Sequence, residues 1–162
     1  AWRQWCQRWL PDLSSASITA YGHGIASRIR ELQAVDQGLD ATLSDSLRER
    51  STAAASGFLD GKEEMRGNRE WTKFADGVDT GVSPGHLPVV FALQSALYHL
   101  PLSSALAAYA WFEFQSRHGS MTPPAPTEEE RKIFEEVLPE IATSVQTSRN
   151  ESTGGFEPLE AL

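Results

Sequence analysis

The chain has 162 residues, of which 40% are hydrophobic and 22% charged, and its formal net charge is −8. This length and composition predict one globular domain with a single core, and the negative charge argues against binding to nucleic acid or to an anionic membrane surface. The single cysteine excludes an internal disulfide, and no segment has the character of a secretory signal. We therefore expect a cytoplasmic protein whose acidic surface suits basic protein partners.

Residues 1–30 form an N-terminal segment that is predicted to be helical. Three tryptophans recur in it at helical spacing: Trp2, Trp5 and Trp9. The simplest interpretation is a helix that packs these rings on the core, and the alternative is an exposed aromatic stripe that docks a partner or a membrane interface. The Gly-His-Gly sequence at residues 22–24 lacks the glycine spacing and the lysine of a phosphate-binding loop. We expect a turn with a solvated His23 at this point.

Two amphipathic helices are predicted between residues 27 and 58. The first has one apolar face: Leu32, Val35, Leu39 and Leu43. Ser44 is a good N-cap for the second helix, with Asp45 near the positive end of its dipole. The second helix carries the apolar residues Leu47, Ala54, Ala55 and Phe58. Its charged residues 48–50 are most simply a solvated face.

Residues 60–83 differ in character, because glycines and charges replace most of the aliphatic residues. We treat this region as a surface loop, with a short helix around Trp71 and Phe74 as the alternative. Asp76 and Asp79, together with the neighbouring glycines, resemble the composition of a calcium-binding loop. The ordered ligand spacing and terminal glutamate of such a loop are absent, so no calcium site is expected.

Residues 85–112 are the most apolar part of the chain and predict a central helical hairpin. The first helix has an apolar face: Val89, Leu93, Ala96, Leu97 and Leu100. Pro88 fits its first turn, and Pro101 should end it at Leu100, because the residue before a proline is disfavoured in the α conformation. The second helix turns another set inward: Leu102, Ala105, Leu106, Tyr109 and Phe112. Polar residues interrupt the apolar run, so a membrane span is not expected.

The chain after the hairpin begins with a proline-containing loop at residues 117–126. Thr127 and Glu130 then have the spacing of a capping box at the start of a further helix, and residues 146–162 are expected to form a loose tail. No stretch shows the two-residue alternation of a strand. The whole chain is therefore predicted to be an all-α, single-domain bundle of about six or seven helices around the central hairpin.

Two blocks of sequence carry a family signal. One is G-H-L-P-V-V-F-A-L at residues 85–93, followed by L-P-L at 100–102 and an alanine-rich helix. The other is a leucine- and aspartate-containing helix at residues 32–43, followed by L-R-E-R-S at 47–51. Both resemble the urease accessory protein F (UreF) family, in the same order and over roughly residues 31–145. The glycine-glutamine pairs that the family has near residues 120–130 are replaced here, so we expect a diverged or truncated member.

The resemblance implies a function as well as a fold. Proteins of this family form an all-α complex with a second urease accessory protein of the D or H type. That pair recruits a nickel-carrying GTPase (the G-type accessory protein), and the assembly delivers nickel to apo-urease. The resemblance therefore implies a non-enzymatic scaffold without a cofactor, which modulates GTP hydrolysis by the GTPase and is a homodimer within the complex. The alternative is an all-α protein-interaction module unrelated to metal insertion.

The chemistry-bearing residues agree with a binding role. The histidines at positions 23, 86, 99 and 118 are scattered and form no metal-ligand motif, and no catalytic or P-loop motif is present. No metal site is therefore expected. Gly85, His86 and Tyr109 are the candidate partner-binding residues. His86 lies at the start of a helix, where it should be free to accept a hydrogen bond, and the alternative is that it merely seats the helix N-terminus.

Overall fold

The computed structural model describes residues 16, 19–60, 65, 67–116, 127–129, 131–133, 135–136 and 139. Six helices follow one another in these ranges: α1 (residues 19–25), α2 (Ile29–Thr42), α3 (Asp45–Asp60), α4 (Arg69–Asp79), α5 (Leu87–Leu97) and α6 (Leu102–Ser116). Further helical residues lie between 128 and 139, and none of the described residues is in a strand. The all-α prediction is confirmed.

Helix α5 is the centre of the fold. It packs against α2, α3 and α6, and nine of its eleven residues are buried. A helix enclosed on several sides must be apolar around most of its circumference, which explains why this is the most hydrophobic stretch of the sequence. With α6 it forms the predicted central hairpin. Among the described helices, none is long and apolar enough to cross a membrane.

The predicted boundaries of α5 are right at its start and wrong at its end. Pro88 lies in the first turn, but the helix ends at Leu97 instead of Leu100. His99 adopts a left-handed conformation with φ of 54°. Its N–H donates to the carbonyl of Ala96 and that of Leu100 to Ser95, each at 3.0 Å. This pair of bonds is a Schellman closure. The helix therefore ends at Leu97, before it reaches the residue that precedes Pro101.

Within residues 60–83 the alternative of a short helix around Trp71 and Phe74 is confirmed by α4, and the prediction of a surface loop is wrong for these residues. The side chain of Asn68 caps this helix by accepting a hydrogen bond from the N–H of Trp71 at 3.0 Å. Trp71, Phe74 and Gly77 are buried and recur every three residues, so they share one face of the helix. Two large aromatic side chains bury enough apolar surface to hold a helix that is otherwise polar.

The glycine-containing segment near the N-terminus is also different from its prediction. Residues 22–24 belong to α1 and not to a turn, and His23 is half-buried. Gly24 is buried against α5, where a Cβ added to it would lie 2.9 Å from the Cβ of Ala96. The glycine therefore allows two helices to approach closely. The tryptophans at positions 2, 5 and 9, the loop at 117–126 and the tail at 146–162 lie outside the described residues.

Candidate functional site

A buried carboxylate on α2 organises the loop that leads into α5. Asp36 is fully buried, and its Oδ2 accepts hydrogen bonds from the hydroxyl of Ser83 at 2.5 Å and from the N–H of Gly85 at 2.6 Å. Its Oδ1 accepts a third bond, from the N–H of His86 at 2.9 Å. Burial of a charge is costly unless it is hydrogen-bonded in this way. The negative charge also lies near the positive end of the α5 dipole.

The backbone of this loop favours glycine at position 85. Gly85 has φ of 79°, a conformation that side chains with a Cβ rarely adopt. A Cβ at this position would also lie 2.9 Å from Cγ1 of Val78. With this backbone conformation, the N–H groups of Gly85 and His86 both point to the carboxylate of Asp36.

The first turn of α5 has its hydrogen-bond donors satisfied by the protein itself. The N–H of Leu87 donates to Oγ of Ser51 on α3 at 3.1 Å, and those of Val89 and Val90 donate to the carbonyl of His86 at 3.0 Å. Pro88 has no N–H to satisfy. The helix start is thus joined to α2 through Asp36 and to α3 through Ser51, which fixes the position of all three helices.

The ring of His86 makes a second connection to α2. His86 is 0% exposed, and its Nε2 lies 2.9 Å from Oδ1 of Asp40. A carboxylate only accepts hydrogen bonds, so Nε2 carries a proton and donates. The other nitrogen, Nδ1, is buried and has no hydrogen-bond partner within the described part of the chain. It is the only position on the ring where the predicted acceptance of a hydrogen bond could occur.

Asp40 connects this buried ring to the protein surface. The side chain of Asp40 is 38% exposed, and Nε of Arg48 lies 3.7 Å from the same Oδ1. The Nε group donates to the backbone carbonyl of Asp40 at 2.8 Å, and Nη1 donates to Oδ1 of Asp45 at 3.0 Å. Arg48 was predicted to belong to a solvated face; its side chain is only 37% exposed and forms a bridge between α2 and α3. We call His86, Asp40, Arg48 and Asp45 the His86–Asp45 polar network, which runs from the core to the surface.

Tyr109 belongs to a different part of the core. It is 2% exposed, and its ring centroid lies 5.6 Å from that of Phe91. Phe58 and Phe112 extend the same aromatic cluster, with their centroids 5.0 Å apart. Tyr109 also faces a small apolar cavity that it shares with Tyr21 of α1. Gly85 and His86 thus occupy one loop, and Tyr109 lies in the aromatic cluster of α6.

All three candidate partner-binding residues are buried. None of them offers a side chain to a partner; the partly exposed groups are Asp40, which contacts His86, and Arg48, which contacts Asp40. Sequence reasoning assigned no role to Asp36 and Asp40, although both fall within the block that resembles a known family. One signal was present: Asp36 interrupts the apolar face of α2 between Leu32 and Leu39, where a charge needs a buried partner.

The site contains few side chains that could bind a metal ion. His86 and Asp40 are two potential metal ligands, and among the described residues no group of three or more histidine, cysteine, aspartate or glutamate side chains could hold a metal ion. The arrangement supplies hydrogen bonds that hold three helices in position.

The UreF family model matches residues 2–115 of the chain. The matched range includes α1 to α5, nearly all of α6, and every residue of the site described above. Comparison with curated proteins and with solved structures produced no match.

Proposed function

The chain belongs to the UreF family, and on that premise we propose that it is a cytoplasmic, non-enzymatic scaffold of the complex that delivers nickel to urease. Family membership implies an accessory role in urease maturation. In the proposed complex the chain is a homodimer that binds the D- or H-type accessory protein, recruits the nickel-carrying GTPase and presents it to apo-urease. The family match over residues 2–115 carries this proposal.

The geometry of the site supports a scaffold. Asp36, Ser51 and His86 use their polar groups to fix α2, α3 and α5 relative to one another. A hydrogen-bonded buried network of this kind gives a single well-defined arrangement of helices. A protein that must present two surfaces to two partners at once needs such a fixed arrangement.

His86 affects partner binding through its neighbours in this proposal. The ring is fully buried, so it cannot contact a partner itself. Its hydrogen bond holds Asp40 in position, and Asp40 and Arg48 make the contact with the partner. Their side chains are 38% and 37% exposed, enough to be reached from outside. Arg48 retains hydrogen-bond donors beyond those used for Asp40 and Asp45, since a guanidinium has five.

Co-purification with the D- or H-type accessory protein tests the proposal. Arg48→Ala should reduce the amount of partner retained, and activation of urease should fall with it. Arg30→Ala is the matched control, because Arg30 is an exposed arginine on α2 outside the His86–Asp45 polar network. His86→Ala is less informative, because loss of a fully buried side chain lowers stability whatever its role.

The result that would contradict this function is the absence of any complex between the wild-type chain and the accessory protein. The alternative, a helical interaction module of another pathway, would then be preferred. Equal retention of the accessory protein by Arg48→Ala and Arg30→Ala would refute only the assignment of Asp40 and Arg48 as the contact surface.

A further inference from the structure

The carboxylate of Asp40 uses only part of its hydrogen-bonding capacity. Its Oδ1 accepts one bond, from Nε2 of His86 at 2.9 Å. Nε of Arg48 lies 3.7 Å from the same oxygen, which is too far for a hydrogen bond, and donates to the backbone carbonyl of Asp40 instead. None of the described residues donates to Oδ2. A carboxylate has about four acceptor positions, so Asp40 keeps most of them available on a side chain that is 38% exposed.

The charges of the His86–Asp45 polar network do not balance. Arg48 contributes one positive charge, and Asp40 and Asp45 contribute two negative ones. The guanidinium is paired directly with Asp45, because Nη1 of Arg48 lies 3.0 Å from its Oδ1, whereas the carboxylate of Asp40 is at the longer distance of 3.7 Å. A negative charge that is incompletely paired at a half-buried position favours a cation as its binding partner.

Arg48 has the opposite requirement beside it. Of the five N–H groups of a guanidinium, Nε donates to the carbonyl of Asp40 and Nη1 donates to Asp45. The remaining N–H groups of this 37% exposed side chain can donate to an acceptor from outside. The surface therefore offers an available acceptor and available donors side by side, an arrangement that orients a partner as well as attracting it.

We propose that Asp40 binds a lysine or arginine side chain of the D- or H-type accessory protein, and that an acceptor on the same partner segment binds Arg48. This inference rests on the function proposed above and names the chemistry of the contact. A cationic side chain suits Asp40 better than a neutral donor, because hydrogen bonds between ionised groups are roughly twice as strong as neutral ones.

The ring of His86 is a buried reporter of what binds to Asp40. Its bond to Asp40 is the only hydrogen bond of the ring within the described part of the chain, since Nδ1 has no partner there. The backbone of His86 is held separately, by Asp36. A cation bound to the carboxylate competes for the charge on Oδ1 and weakens the bond from Nε2. The resonance of the Nε2 proton should therefore shift, although the ring is 0% exposed and cannot touch the partner.

The affinity of the full-length chain for the accessory protein, measured by calorimetry, tests the contact. Asp40→Asn removes the charge but keeps an oxygen that can accept from His86, and it should weaken binding about 10-fold and reduce its dependence on salt. Asp79→Asn is the matched control, because Asp79 is an exposed aspartate of α4, and it should leave the affinity unchanged. Equal melting temperatures of the two variants would show that the difference does not come from folding.

Nuclear magnetic resonance of the wild-type chain, labelled with ¹⁵N in its histidines, tests the same contact without any substitution. Addition of the accessory protein should shift the Nε2 proton signal of His86 and leave that of His99, at the opposite end of α5, in place. The absence of a shift in a chain that has bound the accessory protein would overturn the proposal, whether or not Asp40→Asn folds.

The affinities discriminate between the remaining outcomes. Unchanged binding by Asp40→Asn would show that the partner binds elsewhere, and tighter binding would show that an acidic group of the partner faces Asp40. Either result overturns the contact and leaves the proposed function in place, because the wild-type chain still forms the complex. A wild-type chain that binds no accessory protein would refute the proposed function and this contact together.

Discussion

Replacement of Asp36 by alanine should be the most damaging single change to the loop that starts α5. The substitution removes the acceptor of three hydrogen bonds, from Ser83, Gly85 and His86. Each buried donor left without a partner costs about 1–3 kcal/mol. The hydroxyl of Ser83 can rotate to another acceptor, whereas the two backbone N–H groups are fixed by the geometry of the loop.

The expected loss of unfolding free energy is about 4 kcal/mol, from two fixed N–H groups at ~2 kcal/mol each. This is a large share of the ~5–15 kcal/mol that holds a domain together. At the ~2–4 °C per kcal/mol that applies to a chain of this size, the melting temperature should fall by ~8–16 °C. Asp36→Asn should also destabilise, because one of its positions becomes an N–H₂ group that faces a backbone N–H whichever way the amide is oriented.

Urea denaturation followed by far-UV circular dichroism measures these differences. Asp45→Ala is the control, because the Asp45 side chain is 93% exposed and contributes one surface ion pair, which is worth ~0–1 kcal/mol. The reasoning is refuted if Asp36→Ala loses less than about 1 kcal/mol, the lower bound for a single unsatisfied donor. In that case the loop would reorganise around a different acceptor.

Three further substitutions test separate parts of the fold by the same measurement. His99→Gly should stabilise the protein by about 0.5–1 kcal/mol, because it relieves the ~1–2 kcal/mol cost of the left-handed conformation and loses part of that gain to unfolded-state entropy; a lower denaturation midpoint would contradict the assignment of the Schellman closure. Gly85→Ala should cost about 2–4 kcal/mol, from backbone strain and from the contact with Val78, and an unchanged midpoint would show that the loop can move. Leu93→Ala should cost ~2–5 kcal/mol, as a fully buried leucine does, and a loss below that range would mean that α5 is not the centre of the core.

Local pattern determined much of this protein. The helical periodicity of the apolar residues was enough to predict the all-α fold, the central hairpin and α2, because a helix that packs on a core must repeat its apolar positions every three to four residues. The start of α5 was also readable, since Pro88 fits a first helical turn. These features depend on residues that are close in sequence.

The site was not readable in the same way. Asp36 meets its three donors across 47 to 50 positions of the chain, and no local pattern specifies which loop approaches a given carboxylate. The sequence identified Gly85 and His86 as unusual, but only the packing of α2 and α3 around α5 showed that both are buried and that Asp40 and Arg48 are the groups that reach the surface.

Tertiary packing also decided two local questions against their sequence signals. Helix α4 forms in a glycine-rich, charged segment because Trp71 and Phe74 are buried, and α1 forms in a Gly-His-Gly segment because Gly24 fits against Ala96. In both cases intrinsic preferences on the order of 1 kcal/mol per residue are outweighed by burial of an apolar side chain or a close helix contact, which depends on neighbours that are distant in the sequence.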